Sequence, residues 1–162
     1  MSLVYIEIPR PKGLNRLSNR DILIGTPVAS LDRLRIVDED TYEDIILEWA
    51  TSYLNEKYEK TKALGGSGDK GRDICAYTDL HNQYYDLFQC KHYANKLSFS
   101  MVSLEFGKLI YYTYNKDYPT PQKYYFVSPL GMSPSLWDLI TTKHNELRSK
   151  ILACWDKDIK NK

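Results

Sequence analysis

The stretch from Gly65 to Tyr93 constrains the fold of this chain more than any other part of the sequence. It begins with a glycine-rich segment, continues into an apolar run after Asp73, passes a polar turn, and ends in a second run that contains Gln89 and Lys91. Glycine permits backbone conformations with positive φ, so it suits a loop that turns sharply or approaches a ligand closely. The pattern predicts a glycine loop followed by two adjacent strands.

Side chains alternate along a strand, so Gln89 and Lys91 are expected on one face and Cys90 on the other. An acid at the start of one strand, with an amide and an amine on the neighbouring strand, would form a metal-ion site with a positively charged group beside it. The glycine loop is not a phosphate-binding P-loop, because no Gly-Lys-Ser/Thr follows it and the next segment has the pattern of a strand.

A helix is predicted over about residues 40–54, where two capping-box patterns precede apolar residues at helical spacing. On a helical wheel Glu43 falls inside the apolar arc, whereas Asp44 and Glu48 fall outside it. A carboxylate aimed at the core loses hydration free energy, which a metal or a basic partner would offset. The alternative is a first-turn glutamate that stays solvated and complements the helix dipole.

The remaining elements are predicted from the same periodicities. Strands are expected at about residues 58–64 and 124–128, and helices are expected after Ser98 or Ser100 and after Pro134. The order helix, three strands, helix, strand, helix predicts an α/β fold with a mixed central β-sheet flanked by α-helices.

Residues 1–37 are interpreted as an unassigned N-terminal extension, and residues 38–162 as the folded domain. A short strand is expected at residues 4–8, and a basic segment runs from Arg10 to Arg20. Residues 31–37 fit a helical turn and a strand equally well.

Composition and charge exclude several classes of protein. No apolar run approaches the roughly 18 residues that a membrane span needs, so no membrane partner is expected. The three cysteines are scattered and form neither a metal-binding pattern nor a disulfide framework, which favours a cytoplasmic location. The net charge is +1, so any contact with nucleic acid must depend on local charge.

The order of these motifs resembles a known nuclease family. Gly68-Asp69-Lys-Gly71-Arg-Asp73, followed by Gln89-Cys90-Lys91-His-Tyr93, is similar to the Mrr-like branch of the PD-(D/E)XK superfamily. Tyr42-Glu43, Lys96-Leu97-Ser98 and Phe126-Val127-Ser128 extend the resemblance over about residues 40–152. It implies a restriction endonuclease-like fold for the domain.

By position, Asp73 resembles the metal-binding aspartate of that family, Lys91 its catalytic lysine and Glu43 its helix glutamate. Gln89 stands where most members carry Asp or Glu, and glutamine is the alternative found in the Mrr-like branch. The implied cofactor is Mg²⁺, with Mn²⁺ as a substitute, held by Asp73, by the carbonyl oxygens of Gln89 and Cys90, and by Glu43 through a water or at a second ion. Because Gln89 replaces an acid, one Mg²⁺ per site is expected.

The resemblance implies a Mg²⁺-dependent endonuclease that hydrolyses phosphodiester bonds of double-stranded DNA. Such domains serve as effectors in restriction or anti-phage systems, fused to or associated with a sensor or NTPase module, and the sequence does not choose between an effector domain and a stand-alone protein. Cleavage of both strands favours a homodimer. The predicted phosphate contacts, chosen by charge and nearness in sequence, are the four residues Lys70, Arg72, His92 and Lys96, together with the segment from Arg10 to Arg20.

Two other functions remain open from the sequence. One is a non-catalytic nucleic-acid-binding or oligomerisation module that keeps the nuclease fold, which the near-neutral charge and the missing acid at Gln89 favour. The other is an enzyme of the same fold that acts on RNA or on branched junctions. It stays open because the sequence has no feature that distinguishes a 2′-hydroxyl or a branched structure from duplex DNA.

Overall fold

The computed structural model describes residues 23–25, 28–66 and 68–156. The predicted strand at residues 4–8 and the basic segment from Arg10 to Arg20 lie outside the described residues. The chain divides into two units between Ser30 and Leu31. The second unit contains the β-sheet and the candidate site.

The helices and strands follow one another in a regular order along the chain. In chain order the elements are α1 (Ser30–Ile36), α2 (Glu39–Glu48), a π-helical turn (Trp49–Tyr53), β1 (Lys60–Ala63), β2 (Ile74–Tyr77), β3 (Tyr85–Cys90), α3 (Phe99–Tyr114), β4 (Lys123–Val127), α4 (Pro134–Thr141) and α5 (His144–Cys154).

A four-stranded mixed sheet organises the second unit. Strands β1 and β2 pair antiparallel, as do β2 and β3, whereas β3 and β4 pair parallel, in the spatial order β1-β2-β3-β4. The connection between the parallel strands runs through helix α3, as a parallel crossover requires. The prediction of an α/β fold with a mixed sheet and helices is therefore confirmed at that level.

Strand β3 lies at the centre of the core, and all six of its residues are buried. Phe88 and Cys90 pack on one face with Tyr42 and Ile46 of α2. Leu87 packs on the other face with neighbours in the sheet. A third cluster joins α3 and α4 to Phe126 of β4, which pairs with Gln89 and shares its face. Burial on both faces is typical of a central strand, although the polar residues Asp86 and Gln89 interrupt its apolar sequence.

Helix α2 begins slightly before the predicted position. Asp38 has an extended backbone and caps the helix, because its carboxylate accepts hydrogen bonds from the Thr41 amide at 2.8 Å and the Thr41 hydroxyl at 2.7 Å. The capping-box patterns predicted over residues 40–44 lie inside the helix. The predicted end near residue 54 agrees with the π-helical turn, in which Trp49 is 42% exposed and Tyr53 77% exposed. The wider π turn changes the helical phase, so these two rings are not buried as the regular helical periodicity over residues 40–54 predicts.

The single helix predicted after Pro134 is two helices. The amides of Thr142 and Lys143 both donate to the carbonyl of Asp138, at 2.9 and 2.8 Å, which closes α4 before α5 begins. Pro134 lies in the first turn of α4, as the sequence predicts, next to the capping residue Ser133. Among the helices in the described part of the chain, none has the length and apolar character that crossing a membrane requires.

Candidate functional site

The glycine loop between β1 and β2 places Asp73 at the edge of the core. The carboxylate of Asp69 accepts a hydrogen bond from the amide of Gly71 at 2.8 Å, inside the loop. Gly71 has φ +76°, in the left-handed region that glycine occupies without a steric penalty. The amide of Leu64 donates to the carbonyl of Asp73 at 2.8 Å and closes the loop. Asp69 therefore holds the shape of the loop.

Asp73 is 7% exposed and is fixed by the strand beside it. Its Oδ2 accepts hydrogen bonds from the Cys90 amide and from Gln89 Nε2, each at 2.7 Å. No described residue donates a hydrogen bond to Oδ1. Burial raises the pKa of Asp73, although the Cys90 amide, the Lys91 ammonium and the Gln89 amide work in the opposite direction. Oδ1 is therefore the acceptor that this carboxylate has left for a ligand.

Gln89 lies opposite Asp73 across the β2–β3 pair and is buried. Its Nε2 donates to Asp73, and its Oε1 accepts a hydrogen bond from the Tyr124 hydroxyl at 3.4 Å. The carbonyl oxygen predicted to bind a metal thus faces Tyr124, and a half-turn of the amide would exchange the two groups. The side chain of Cys90 packs in the core beside Tyr42, on the face opposite Gln89.

Glu43 of α2 is half-buried, whereas Asp44 and Glu48 of the same helix are exposed, as the helical wheel indicates. Burial raises the pKa of Glu43, and the negative charge of Asp73 raises it further, while Lys91 lowers it. The Glu43 carboxylate is therefore electrostatically coupled to both residues. No described residue forms a hydrogen bond or an ion pair with it.

Lys91 follows β3 and lies largely inside the molecule. Its Nζ is 3.0 Å from Oε1 of Glu105, a buried residue of α3, and its side chain is 14% exposed. Desolvation acts to lower the pKa of Lys91, but Glu105 outweighs it and the pKa is raised. Lys91 is therefore an ammonium at neutral pH and donates hydrogen bonds rather than accepting a proton.

Glu105 is the residue of this site that sequence reasoning missed. It lies beside the predicted core stripe of α3, next to Phe106, and its side chain is buried. The same helical wheel that selected Glu43 contains this signal, because an acid at the edge of an apolar arc is aimed toward the core. Its pairing with Lys91 crosses from one element to another and has no local pattern in the sequence.

Three of the four predicted phosphate contacts have partners inside the protein. Only Lys96, among these four, is exposed without such a partner. The other three side chains are engaged in contacts within the protein, so they do not form a free basic surface. Lys70 pairs with Asp117, the Arg72 guanidinium lies 4.3 Å from the centre of the Tyr118 ring, and His92 Nε2 is 2.7 Å from the Leu34 carbonyl oxygen.

The donor set fits a hard cation that prefers oxygen ligands. Asp73 Oδ1 and the Glu43 carboxylate supply negative charge, and the carbonyl oxygens of Gln89 and Cys90 are neutral donors of the same class. Among the described residues, no three His, Cys, Asp or Glu side chains are grouped closely enough to hold a metal ion. The proposed set differs from such a group, because it combines two carboxylates with two carbonyl oxygens.

No protein-family model matches the sequence, and comparisons with curated proteins and with solved structures find no match. What the chain does must therefore be inferred from the positions of its own side chains. Asp73, Gln89 and Lys91 lie where β3 ends, and Glu43 is electrostatically coupled to Asp73 and Lys91.

Proposed function

We propose that the protein is a divalent-metal-dependent endonuclease with a restriction endonuclease-like fold, and that it hydrolyses phosphodiester bonds of DNA. The observation that carries the proposal is the Asp73 carboxylate, which is fixed through Oδ2 and has no donor among the described residues at Oδ1. It is electrostatically coupled to the Glu43 carboxylate, with which no described residue forms a hydrogen bond or an ion pair. Two partly desolvated carboxylates repel each other, and a cation between them would relieve that repulsion. Lys91 adds a fixed positive charge that suits an anionic substrate.

A single Mg²⁺ or Mn²⁺ ion agrees with the charges of the site. Asp73 and Glu43 would hold it, with neutral carbonyl oxygens of Gln89 and Cys90 in support. Gln89 brings no charge, which disfavours a second ion. Bound there, the metal supplies Lewis-acid charge against an oxygen of the phosphoryl group.

Side chains of the protein would supply the other catalytic roles in the hydrolysis. In the hydrolysis a water oxygen attacks phosphorus, the bond to the leaving sugar oxygen breaks, and that oxygen takes up a proton. The ammonium of Lys91 would donate hydrogen bonds to the phosphoryl oxygens, on which negative charge develops. Glu43 would accept a hydrogen bond from the attacking water. A role as an effector in restriction or anti-phage defence, beside a sensor or NTPase module, belongs to the same proposal.

A second candidate is a nucleic-acid-binding or oligomerisation module that keeps this fold without catalysis. Specific contacts favour it: Lys91 is already paired with Glu105, and Gln89 directs its amide nitrogen rather than its oxygen at Asp73. A polar cluster that satisfies itself in this way would hold the end of β3 in place without any substrate.

A plasmid-cleavage assay separates the two candidates. Supercoiled DNA is incubated with Mg²⁺ or Mn²⁺ and with the wild type, Asp73→Asn or Lys91→Met. Asparagine keeps an acceptor for the Cys90 amide, and methionine keeps the length of the lysine stem. The nuclease proposal expects both variants to cut at least about 100-fold more slowly, as for the loss of a group that stabilises transition-state charge. Glu48→Gln, an exposed substitution on α2, should cut like the wild type.

Other results of this assay would change the conclusion. If no protein cuts but the wild type retards DNA in a gel, the binding module is the better description. Equal cutting by the wild type, Asp73→Asn and Lys91→Met would place the activity elsewhere in the chain or in a contaminating enzyme. Circular dichroism of each variant verifies that it is folded.

A further inference from the structure

Glu105 is a buried acid whose position calls for a physical explanation. It lies in the middle of α3 and is 6% exposed. Its Oε1 is 3.0 Å from Lys91 Nζ, and Lys108 Nζ lies 3.3 Å from both carboxylate oxygens, so the carboxylate pairs with two cations. Oε2 is buried and, apart from this ion-pair contact with Lys108, receives no hydrogen bond from the described residues.

The glycine loop covers this carboxylate. An ideal Cβ on Gly71 would lie 3.4 Å from Oε2 of Glu105 and 2.9 Å from Cδ of Lys108. The loop that positions Asp73 therefore also packs against the partner of Lys91. Burying a carboxylate that has one oxygen without a hydrogen bond costs desolvation free energy. An apolar side chain of similar size would fill the same site without that cost.

Lys91 depends on this contact for its position. It is the residue after β3, and its backbone amide is held by the Val127 carbonyl at 2.8 Å. Beyond the backbone, its long stem is flexible, and Glu105 is the one hydrogen-bond acceptor that the described residues offer its Nζ. An ammonium without that acceptor would be free to turn away from the site.

We propose that Glu105 is a positioning residue, which acts through Lys91 by holding its ammonium at the end of β3, beside Asp73. The inference rests on the proposed nuclease function for its effect on catalysis, and on the ion pair alone for its effect on the lysine. Glu105 touches neither the substrate nor a metal in this assignment.

The kinetic test compares Glu105→Gln with a matched control on the same helix. Glu105→Gln should lower kcat about 10- to 100-fold with KM changed less than twofold, the range seen when a residue that orients a catalytic group is replaced. Lys108→Gln removes the other cation on the same carboxylate and should change kcat less than twofold. Glu105→Asp keeps the charge on a shorter stem and should recover part of the lost rate. An equal loss of kcat in Lys108→Gln would overturn the assignment.

Dependence on Lys91 is tested in a second background. In Lys91→Met, adding Glu105→Gln should leave the remaining rate unchanged, because the residue through which Glu105 acts is gone. A further loss as large as in the wild-type background would show that Glu105 acts independently of Lys91, which contradicts the proposal.

A spectroscopic measurement separates this inference from the nuclease proposal. In ¹⁵N-labelled protein, an ammonium held by a carboxylate gives a slowly exchanging Nζ resonance. The Lys91 resonance should be visible in the wild type and in Lys108→Gln, and should be lost in Glu105→Gln or weakened in Glu105→Asp. If the wild type does not cut DNA, the nuclease proposal fails while this pattern still supports the contact. Persistence of the resonance in Glu105→Gln would overturn the inference whatever the activity.

Discussion

The carboxylates of Asp73 and Glu43 both have raised pKa values, chiefly because both are partly desolvated. The negative charge of Asp73 raises the pKa of Glu43 further, and the charge of Asp69 raises the pKa of Asp73. Each carboxylate therefore favours its neutral form more than an exposed acid does. A divalent cation would reverse that preference, so cation binding and stability should be linked at this pair.

The first prediction concerns cation binding. At a Mg²⁺ concentration about 100 times its dissociation constant, binding should stabilise the wild type by about 2.7 kcal/mol. For a chain of this size that corresponds to a rise in Tm of about 5–10 °C. Asp73→Asn should lose most of the rise. Thermal unfolding in Mg²⁺ and in EDTA at matched ionic strength measures it, and an equal rise in both proteins would mean that Asp73 does not bind the ion.

The second prediction concerns pH without a divalent ion. The pKa of Glu43 is raised in the folded state. At pH values between the ordinary carboxyl pKa, about 4, and the raised pKa, the folded protein therefore binds more protons than the unfolded chain. Its stability is highest below that window and falls as pH rises through it. Glu43→Gln cannot ionise and should escape this loss.

Urea unfolding in EDTA measures the difference. Glu43→Gln should be more stable than the wild type by about 0.5 kcal/mol at pH 7, a small gain because solvent screens a half-buried charge. The gain should shrink toward zero at pH 4. Glu48→Gln, an exposed change on the same helix, should show no such pH dependence, and an equal gain in both variants would remove Glu43 from the coupled pair.

At the scale of elements, the glycine loop and strand β3 carry both stability and the site. The loop packs against α3 through Gly71, and it also ends in Asp73. Strand β3 is buried on both faces, yet Gln89 on one of them donates to Asp73. Buried polar groups need hydrogen-bond partners, which Gln89 Nε2 and Asp73 Oδ2 find in each other, whereas Oδ1 of Asp73 has no donor among the described residues.

Gly71→Ala is the prediction that belongs to this loop. At φ +76° an alanine carries the left-handed penalty, about 1–2 kcal/mol. Its Cβ would also lie 2.9 Å from Lys108 Cδ, which must move and so strains the contact with Glu105. Gly131→Ala is the matched control, because Gly131 has φ +65° and no atom within 4 Å of an added Cβ.

Chemical unfolding of the two variants isolates the packing contribution. Gly71→Ala should be less stable than Gly131→Ala by about 1 kcal/mol, the lower end of the cost of overpacking. Equal losses would mean that Lys108 moves aside freely and that the loop does not press on α3.

For the molecule as a whole, the charge distribution limits how DNA would be held. The net charge is +1, and Lys70, Arg72 and His92 are engaged within the protein. Each phosphate neutralised contributes about −0.9 to the slope of log K against log salt concentration. Of the four predicted contacts only Lys96 is exposed without a partner among the described residues, so these four positions together should contribute about −0.9 to the slope.

This prediction is measured by DNA binding at several salt concentrations in Ca²⁺, which would occupy the site while slowing cleavage. Lys96→Ala should reduce the magnitude of the slope by about 0.9. Lys123→Ala, an exposed change at the start of β4, should leave the slope unchanged. If Lys70→Ala or Arg72→Ala reduced the magnitude of the slope as much as Lys96→Ala does, the partnered cations would also reach the phosphates.

The local features of this protein were determined by its sequence. The glycine loop, the strand that follows Asp73, the turn and the strand that ends at Cys90 lie where their patterns predict them. Alternation along β3 correctly separates Cys90 from Gln89. These features depend on residues within a few positions of one another, where backbone preferences and the period of two are sufficient.

Contacts between distant elements were decided only by the tertiary structure. The pairing of Lys91 with Glu105, the internal partners of Lys70 and Arg72, and the exposure of Trp49 and Tyr53 have no local pattern. The sequence indicates which face of a helix turns toward the core, but not which charged group it meets there. That depends on how helices rotate and pack against the sheet, and a small rotation exchanges one partner for another.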